Sequence, residues 1–201
     1  MSSPSTSPNT PNSAYWNARW ETGQTGWDIG QPSPALVDYM AQYPDKEAAI
    51  LIPGCGNAHE AEALVASGFQ NITLLDIAPA AVARLKDRFG NFPQVRILEG
   101  DFFQHKEPYD LMLEQTFFCA LLPDRRADYA RHAAALLRPG GRLAGILFNK
   151  AFDAPGPPFG GTEAEYRKIF EPHFSIQKME PCTNSIAPRA GSELFINLLR
   201  R

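Results

Sequence analysis

Cysteine is scarce in this chain. Cys55, Cys119 and Cys182 are the three among 201 residues, and no CxxC pair occurs. So small and odd a set supports neither a disulfide framework nor a thiolate zinc site, and a reducing, cytoplasmic setting is expected. The four histidines, His59, His105, His132 and His173, show no metal-ligand spacing, and no metal is assigned. Long apolar runs are missing as well: none approaches the ~20 residues needed to cross a bilayer, so no membrane partner is expected. Positive charge is not in excess. A formal net charge of -3 gives no whole-molecule attraction for phosphate backbones, and no nucleic-acid partner is expected. The opening residues, MSSPSTSPNTPNSA, have no basic region and no apolar core, so they do not read as a secretory signal. Their Ser, Pro, Thr and Asn predict a disordered tail over 1–14.

What is present is ordinary globular composition, 44% hydrophobic and 20% charged, with length for one buried core. Residues 15–201 are therefore expected to form a single domain, with 15–45 as an N-terminal lid segment and helix. From Glu47 onward strands and helices alternate. Apolar runs predict strands at 48–53, 71–77, 94–98, 109–114, 142–148, 174–180 and 193–199. Helices are predicted over 34–43, over 57–67 and from Pro79, and a long one over 123–137 that Pro139-Gly140-Gly141 ends. Thr162 and Glu165 are placed to cap one more reciprocally. This alternation predicts an α/β fold, a mostly parallel sheet with helices on both faces.

In such sheets ligands bind outside the carboxyl ends of the strands, which directs attention to four places. Gly54-Cys55-Gly56 ends the first strand, where glycines admit a ligand close to the backbone and a helix N-terminus offers free N–H groups. Asp76, with its neighbour Ile77, lies 22 positions beyond Gly54 at the end of the second strand, where a carboxylate accepts from ribose hydroxyls. A helix cap for the segment beginning near Pro79 is the plainer alternative, but taken with the glycines the ribose role is favoured. Asp101 and Phe102 follow the third strand and suit a purine, the acid accepting from its amino group and the ring packing on its face. The fourth place is Gln115 to Cys119. The three tryptophans, Trp16, Trp20 and Trp27, all lie in the lid segment, and their faces attract a cation such as a sulfonium. Phe117, Phe118, Phe152 and Phe159 are candidates for an apolar wall, Arg189 for attracting an anion, and Cys119 for a small core residue. Two donor chemistries share the glycine-plus-acid pattern. A nicotinamide dinucleotide would call for GxGxxG, but GCGNAH places His59 at the third glycine position.

The segment WNARWETGQTGWDIGQPSP resembles the N-terminal signature of the thiopurine methyltransferase superfamily, in particular its halide/thiol methyltransferase branch. The likeness continues through ILIPGCGNAHEAEAL, LLDIAPAAV, EGDFF and YDLMLEQTFFCALLPDRRADYA, covering about Tyr15 to Phe148. It implies a Rossmann-like class I methyltransferase, with a seven-stranded sheet whose last strand is antiparallel. It implies S-adenosyl-L-methionine as cofactor, held by Trp16, Trp20, Trp27, Gly54, Gly56, Asp76, Ile77, Asp101 and Phe102. Gln115 falls where halide/thiol enzymes carry a tyrosine near the cofactor. The implied reaction is in-line methyl transfer to a small soft nucleophile, a thiol, halide, bisulfide, thiopurine or metalloid anion. No general base is required and no catalytic residue is named; a monomer is expected. An NAD(P)-dependent oxidoreductase and a non-catalytic adenosylmethionine-binding module stand as the alternatives.

Overall fold

The computed structural model describes residues 11–201. Thirteen helices and strands run in the order α1 (Ser13–Glu21), α2 (Pro34–Ala41), β1 (Ile50–Pro53), α3 (His59–Ala66), β2 (Ile72–Asp76), α4 (Pro79–Phe89) and β3 (Val95–Glu99). They continue as β4 (Tyr109–Gln115), α5 (Arg126–Leu136), β5 (Leu137–Phe148), α6 (Glu163–Phe170), β6 (Phe174–Pro181) and β7 (Glu193–Arg200). Short 3-10 turns at Phe102–Gln104, Phe118–Ala120, Pro123–Arg125 and Ala187–Arg189 fill several connections.

The seven strands form one sheet in the order β3-β2-β1-β4-β5-β7-β6. β7 runs antiparallel to both neighbours, β5 and β6, and the other described pairings are parallel. Both faces are covered, so the central strands read as unbroken apolar runs rather than alternating ones. Leu51, Leu75, Met112 and Leu143 point to the face packed by Tyr129 and Ala133 of α5 and Tyr166 and Phe170 of α6. Ile50, Ile52, Leu74, Leu111 and Leu113 point the other way, toward Leu36 of α2, Leu64 of α3 and Leu85 of α4.

Local chemistry sets several boundaries. Pro79 stands in the first turn of α4, where its missing N–H costs nothing. Thr162 and Glu165 form the reciprocal cap on α6. Two boundaries differ from the sequence reading. α1 begins at Ser13 with Asn12 as its cap, accepting from the Tyr15 amide at 2.9 Å. Residues 12–14 of the expected tail are therefore helix cap and helix, and the tail's first ten residues lie outside the described ones. Leu137 follows α5 directly into β5 and pairs with Tyr109, with an irregular register before Leu111 meets Arg142. Pro139-Gly140-Gly141 therefore forms a bulge within β5, left-handed at Gly140 (φ 80°), rather than a loop ahead of it.

Candidate active site

The loops at the carboxyl ends of β1, β2, β3 and β4 converge with α1 around one cavity of about 970 Å³. On leaving β1 the backbone turns left-handed at Gly54 (φ 56°) and Gly56 (φ 54°), a conformation that favours glycine. Space enforces the same choice. A Cβ at Gly54 would overlap the Phe117 ring, and one at Gly56 would stand 3.3 Å from the Trp20 ring and 3.8 Å from the Trp27 indole nitrogen.

Asp76 ends β2 beside this turn. Its Oδ2 accepts the Gly56 amide at 3.0 Å and its Oδ1 the Ala78 amide at 2.9 Å. Burial pushes the carboxyl upward in pKa, and the donors at Ala78, Gly56 and Ile77 pull it back. Both bonds use backbone donors, but neither caps α4, whose N-cap is Ala78 with no side-chain cap bond. Each carboxylate oxygen nevertheless has a second acceptor position. Asp101 accepts the Phe103 amide at 2.9 Å through Oδ1, a turn-stabilising bond at the mouth of the same cavity.

The N-terminal segment closes over the glycine turn. The Ser13 hydroxyl donates to the Ile77 carbonyl at 2.8 Å, and the Ala80 amide donates to Asn17 Oδ1 at 2.8 Å, pinning α1 on the start of α4. Trp27 meets Trp16 and Trp20 edge-on, with ring centroids 5.4 and 5.6 Å apart. The following Asp28 is a clasp: its carboxylate accepts the Gly30 amide at 2.8 Å, bonds His59 Nε2 at 2.8 Å and takes the Asn57 side-chain amide. Burial opposes ionisation of Asp28, but Gly30, Asn57 and His59 outweigh it and hold the carboxyl below its ordinary value. His59, at the position a dinucleotide site reserves for glycine, thus serves to fasten the lid. From the far end of the chain, Arg189 donates to the Trp27 carbonyl at 2.9 Å and pairs with Glu193 at 3.5 Å.

Across the cavity the wall is largely apolar. It includes Phe117, Cys119 and Leu121 after β4, Phe148 at the end of β5, and Phe152 and Pro157 beyond it. Burial and the nearby Glu114 push the Cys119 thiol up to about 12, so it stays protonated and is no nucleophile. Nine of the ten residues singled out from sequence line this one cavity: Trp16, Trp20, Trp27, Gly54, Gly56, Asp76, Ile77, Asp101 and Phe102. Gln115 is not among its lining residues. Its side chain accepts from the Thr116 hydroxyl at 2.9 Å, and Thr116, left-handed at φ 62°, turns the chain into the wall instead. Of the candidate phenylalanines Phe117 and Phe152 line the cavity, whereas Phe118 is packed behind it on Tyr129, Tyr166 and Phe170. Phe159 is not a lining residue. Sequence reading missed Phe148, the Asp28 clasp and two buried charges behind the wall, Glu114 and Arg126.

The described residues match the family model of thiopurine S-methyltransferase over 11–194. The chain belongs to that family. It is 33% identical over 188 residues to "Probable thiol methyltransferase 2" of Arabidopsis thaliana, covering 90% of this chain and 82% of that protein. It is 30% identical over 192 residues to thiocyanate methyltransferase 1 of Brassica oleracea, covering 92% and 84%. Among solved structures, its fold is similar to a 1,6-didemethyltoxoflavin N1-methyltransferase of Burkholderia thailandensis, with TM-score 0.74 at 20% identity over 93% of this chain and 86% of that one. As a family member the chain is a methyltransferase that uses S-adenosylmethionine, and the oxidoreductase and non-catalytic readings are set aside. The residues present fit that cofactor. A glycine turn with no room for a side chain, an acid with acceptor positions left over and a cluster of indoles all border one cavity.

Proposed function

We propose that this cavity has two halves, one for the methyl donor and one for a small soft acceptor of the thiol or thiocyanate kind. In this reading Gly54, Gly56, Asp76 and Ile77 hold the ribose and the amino-acid part of S-adenosylmethionine. Asp101 and Phe102 hold its adenine, and Trp16, Trp20 and Trp27 face its sulfonium. The observation that carries the reading is one cavity whose one side is glycine turn, carboxylates and indoles and whose other side is largely aromatic, with Lys150 and Arg189 over the Phe152 and Phe148 rings. S-adenosylmethionine supplies a methyl group already activated by its positive sulfur, so the protein's work is alignment and exclusion of water. The indoles attract positive charge without donating a hydrogen bond from their faces. The lid they belong to covers the donor side. On the acceptor side Phe117, Phe148 and Phe152 favour a polarisable, weakly hydrated nucleophile over a hard oxygen one. A thiolate or thiocyanate needs no proton removed during transfer, which accords with the protonated, buried Cys119. The named relatives' acceptors, a thiol and a thiocyanate, support the same class.

We further propose that the chain works in the cytoplasm as a monomer, with residues 15–201 acting as one catalytic unit and with no nucleic-acid or membrane partner. Among the described residues no helix is long and apolar enough to cross a membrane.

The test is release of S-adenosylhomocysteine across a panel of bisulfide, thiocyanate, iodide, small thiols, a thiopurine and a phenol. Turnover with one or more of the soft acceptors and none with the phenol is expected. Turnover with the phenol alone would overturn the acceptor class.

A further inference from the structure

The acceptor half of the cavity is walled by loops: Thr116, Phe117, Cys119 and Ala120 after β4, Phe148 at the end of β5, and Pro157 and Pro158, which Phe159 and Gly160 follow behind the wall. Where such loops are buried or half-buried their backbone polar groups need partners. Two buried charges supply them from behind. Glu114 is 0% exposed. Its Oε1 accepts the amides of Phe117 and Phe118, each at 2.8 Å, and its Oε2 accepts the Tyr129 hydroxyl at 2.6 Å. Arg126 is 5% exposed. Its two terminal nitrogens donate to consecutive carbonyls, Phe159 at 2.7 Å and Gly160 at 2.9 Å, while the guanidinium lies 4.7 Å from the centre of the Phe118 ring. The two loops are also joined directly, the Phe159 amide donating to the Cys119 carbonyl at 2.7 Å. Neither charged side chain lines the cavity, and among the described residues no ion pair joins them to each other.

We propose that Glu114 and Arg126 are positioning residues for the methyl acceptor. Glu114 acts through the Phe117–Phe118 amides and Arg126 through the Phe159 and Gly160 carbonyls, and together they set the width of the apolar half. The proposal rests on the assignment of that half to the acceptor. The charge-assisted bonds of Arg126 are shorter and stronger than neutral ones, and Glu114 accepts in the same way when ionised, above about pH 7. The planar fork of an arginine reaches two successive carbonyls at once, which the point charge of a lysine does not. Phe102 of the donor half packs on the Phe117 and Tyr129 rings, each at 5.3 Å between centroids. The hydrogen bonds of Glu114 and Arg126, however, go to Tyr129 and to backbone of the acceptor-side loops, so their loss is felt mainly on that side.

The experiment uses the full-length chain as Arg126→Lys and Glu114→Gln, with three readouts. Backbone hydrogen exchange follows individual amides, calorimetry gives the S-adenosylmethionine Kd, and S-adenosylhomocysteine release gives KM for bisulfide and for thiophenol. In Arg126→Lys the Phe159 amide is expected to exchange about tenfold faster, the loss of one bond to a charged group. The KM ratio of thiophenol to bisulfide should move by a similar factor while the cofactor Kd stays within about twofold. Glu114→Gln, nearly the same shape, should do the same at the amides of Phe117 and Phe118, and it carries the test if the lysine variant does not fold. Unchanged exchange and an unchanged KM ratio in a folded variant would overturn the proposal. So would a cofactor Kd that rises in step with the acceptor KM. If a saturating acceptor protects neither loop in the wild type while the variants still exchange faster, the acceptor assignment beneath the proposal fails, and the proposal with it.

Discussion

Asp76 holds three things together with one carboxylate. It fixes the Gly56 amide, fixes the Ala78 amide and retains acceptor positions facing the cavity. Replacing Asp76 by Ala removes hydrogen bonds to a charged group worth roughly 1.5–3 kcal/mol. The S-adenosylmethionine Kd should therefore rise roughly ten- to hundredfold, read by calorimetry. Glu114 supplies a separate prediction. Burial pushes its carboxyl up to about 7, and the bonds from Tyr129, Phe118 and Phe117 and the charge of Arg126 only partly offset it. The folded chain thus binds this proton more tightly than the unfolded one, whose Glu titrates near 4.5. The stability this group contributes is full below that value and is lost as pH rises toward 7. Relative to Glu114→Gln, the wild type should lose about 3 kcal/mol across that window and little above it. Urea unfolding of both proteins at several pH values checks the sign and the span.

At the scale of elements, the lid is the part whose attachment is most easily altered. Its three indoles pack on one another, but the chain between Trp27 and α2 is held to the glycine turn by the Asp28 clasp on Asn57 and His59. Asp28→Ala should weaken S-adenosylmethionine binding by about tenfold, the equivalent of one charge-assisted bond. It should also speed proteolytic cleavage between residues 22 and 33 without lowering the unfolding midpoint much. A wild-type cleavage rate would contradict the clasp.

The strands were legible in the sequence because burial on both faces leaves plain apolar runs, and Pro79 and Thr162 marked their helix starts by chemistry local to each. α3 begins at His59, two residues later than read from sequence, because Ala58 takes a left-handed conformation (φ 50°) that periodicity does not reveal. β5 begins before its glycines because Leu137 pairs with Tyr109, a contact 28 positions away that no local pattern encodes. That the glycines, acid and tryptophans border one cavity was readable for a related reason: the glycines and the acid stand at strand ends in order and the tryptophans cluster in one segment. Gln115 does not line the cavity, since one left-handed residue, Thr116, turns the chain there. Glu114 and Arg126 left no signal, because their partners are backbone groups of loops that only the fold brings near.

Taken whole, the molecule is a sheet that gathers four strand ends under an aromatic flap. Everything proposed for it follows from placing the donor between that flap and the glycine turn. All three tryptophans of the chain border the cavity, so its entire indole emission reports on that one place. The most direct measurement is a fluorescence titration of the wild type and Asp76→Ala with S-adenosylmethionine. The account predicts a saturable change with one site per chain, its midpoint shifted roughly tenfold or more upward in the variant. Emission indifferent to millimolar cofactor, or the same midpoint in both proteins, would contradict it.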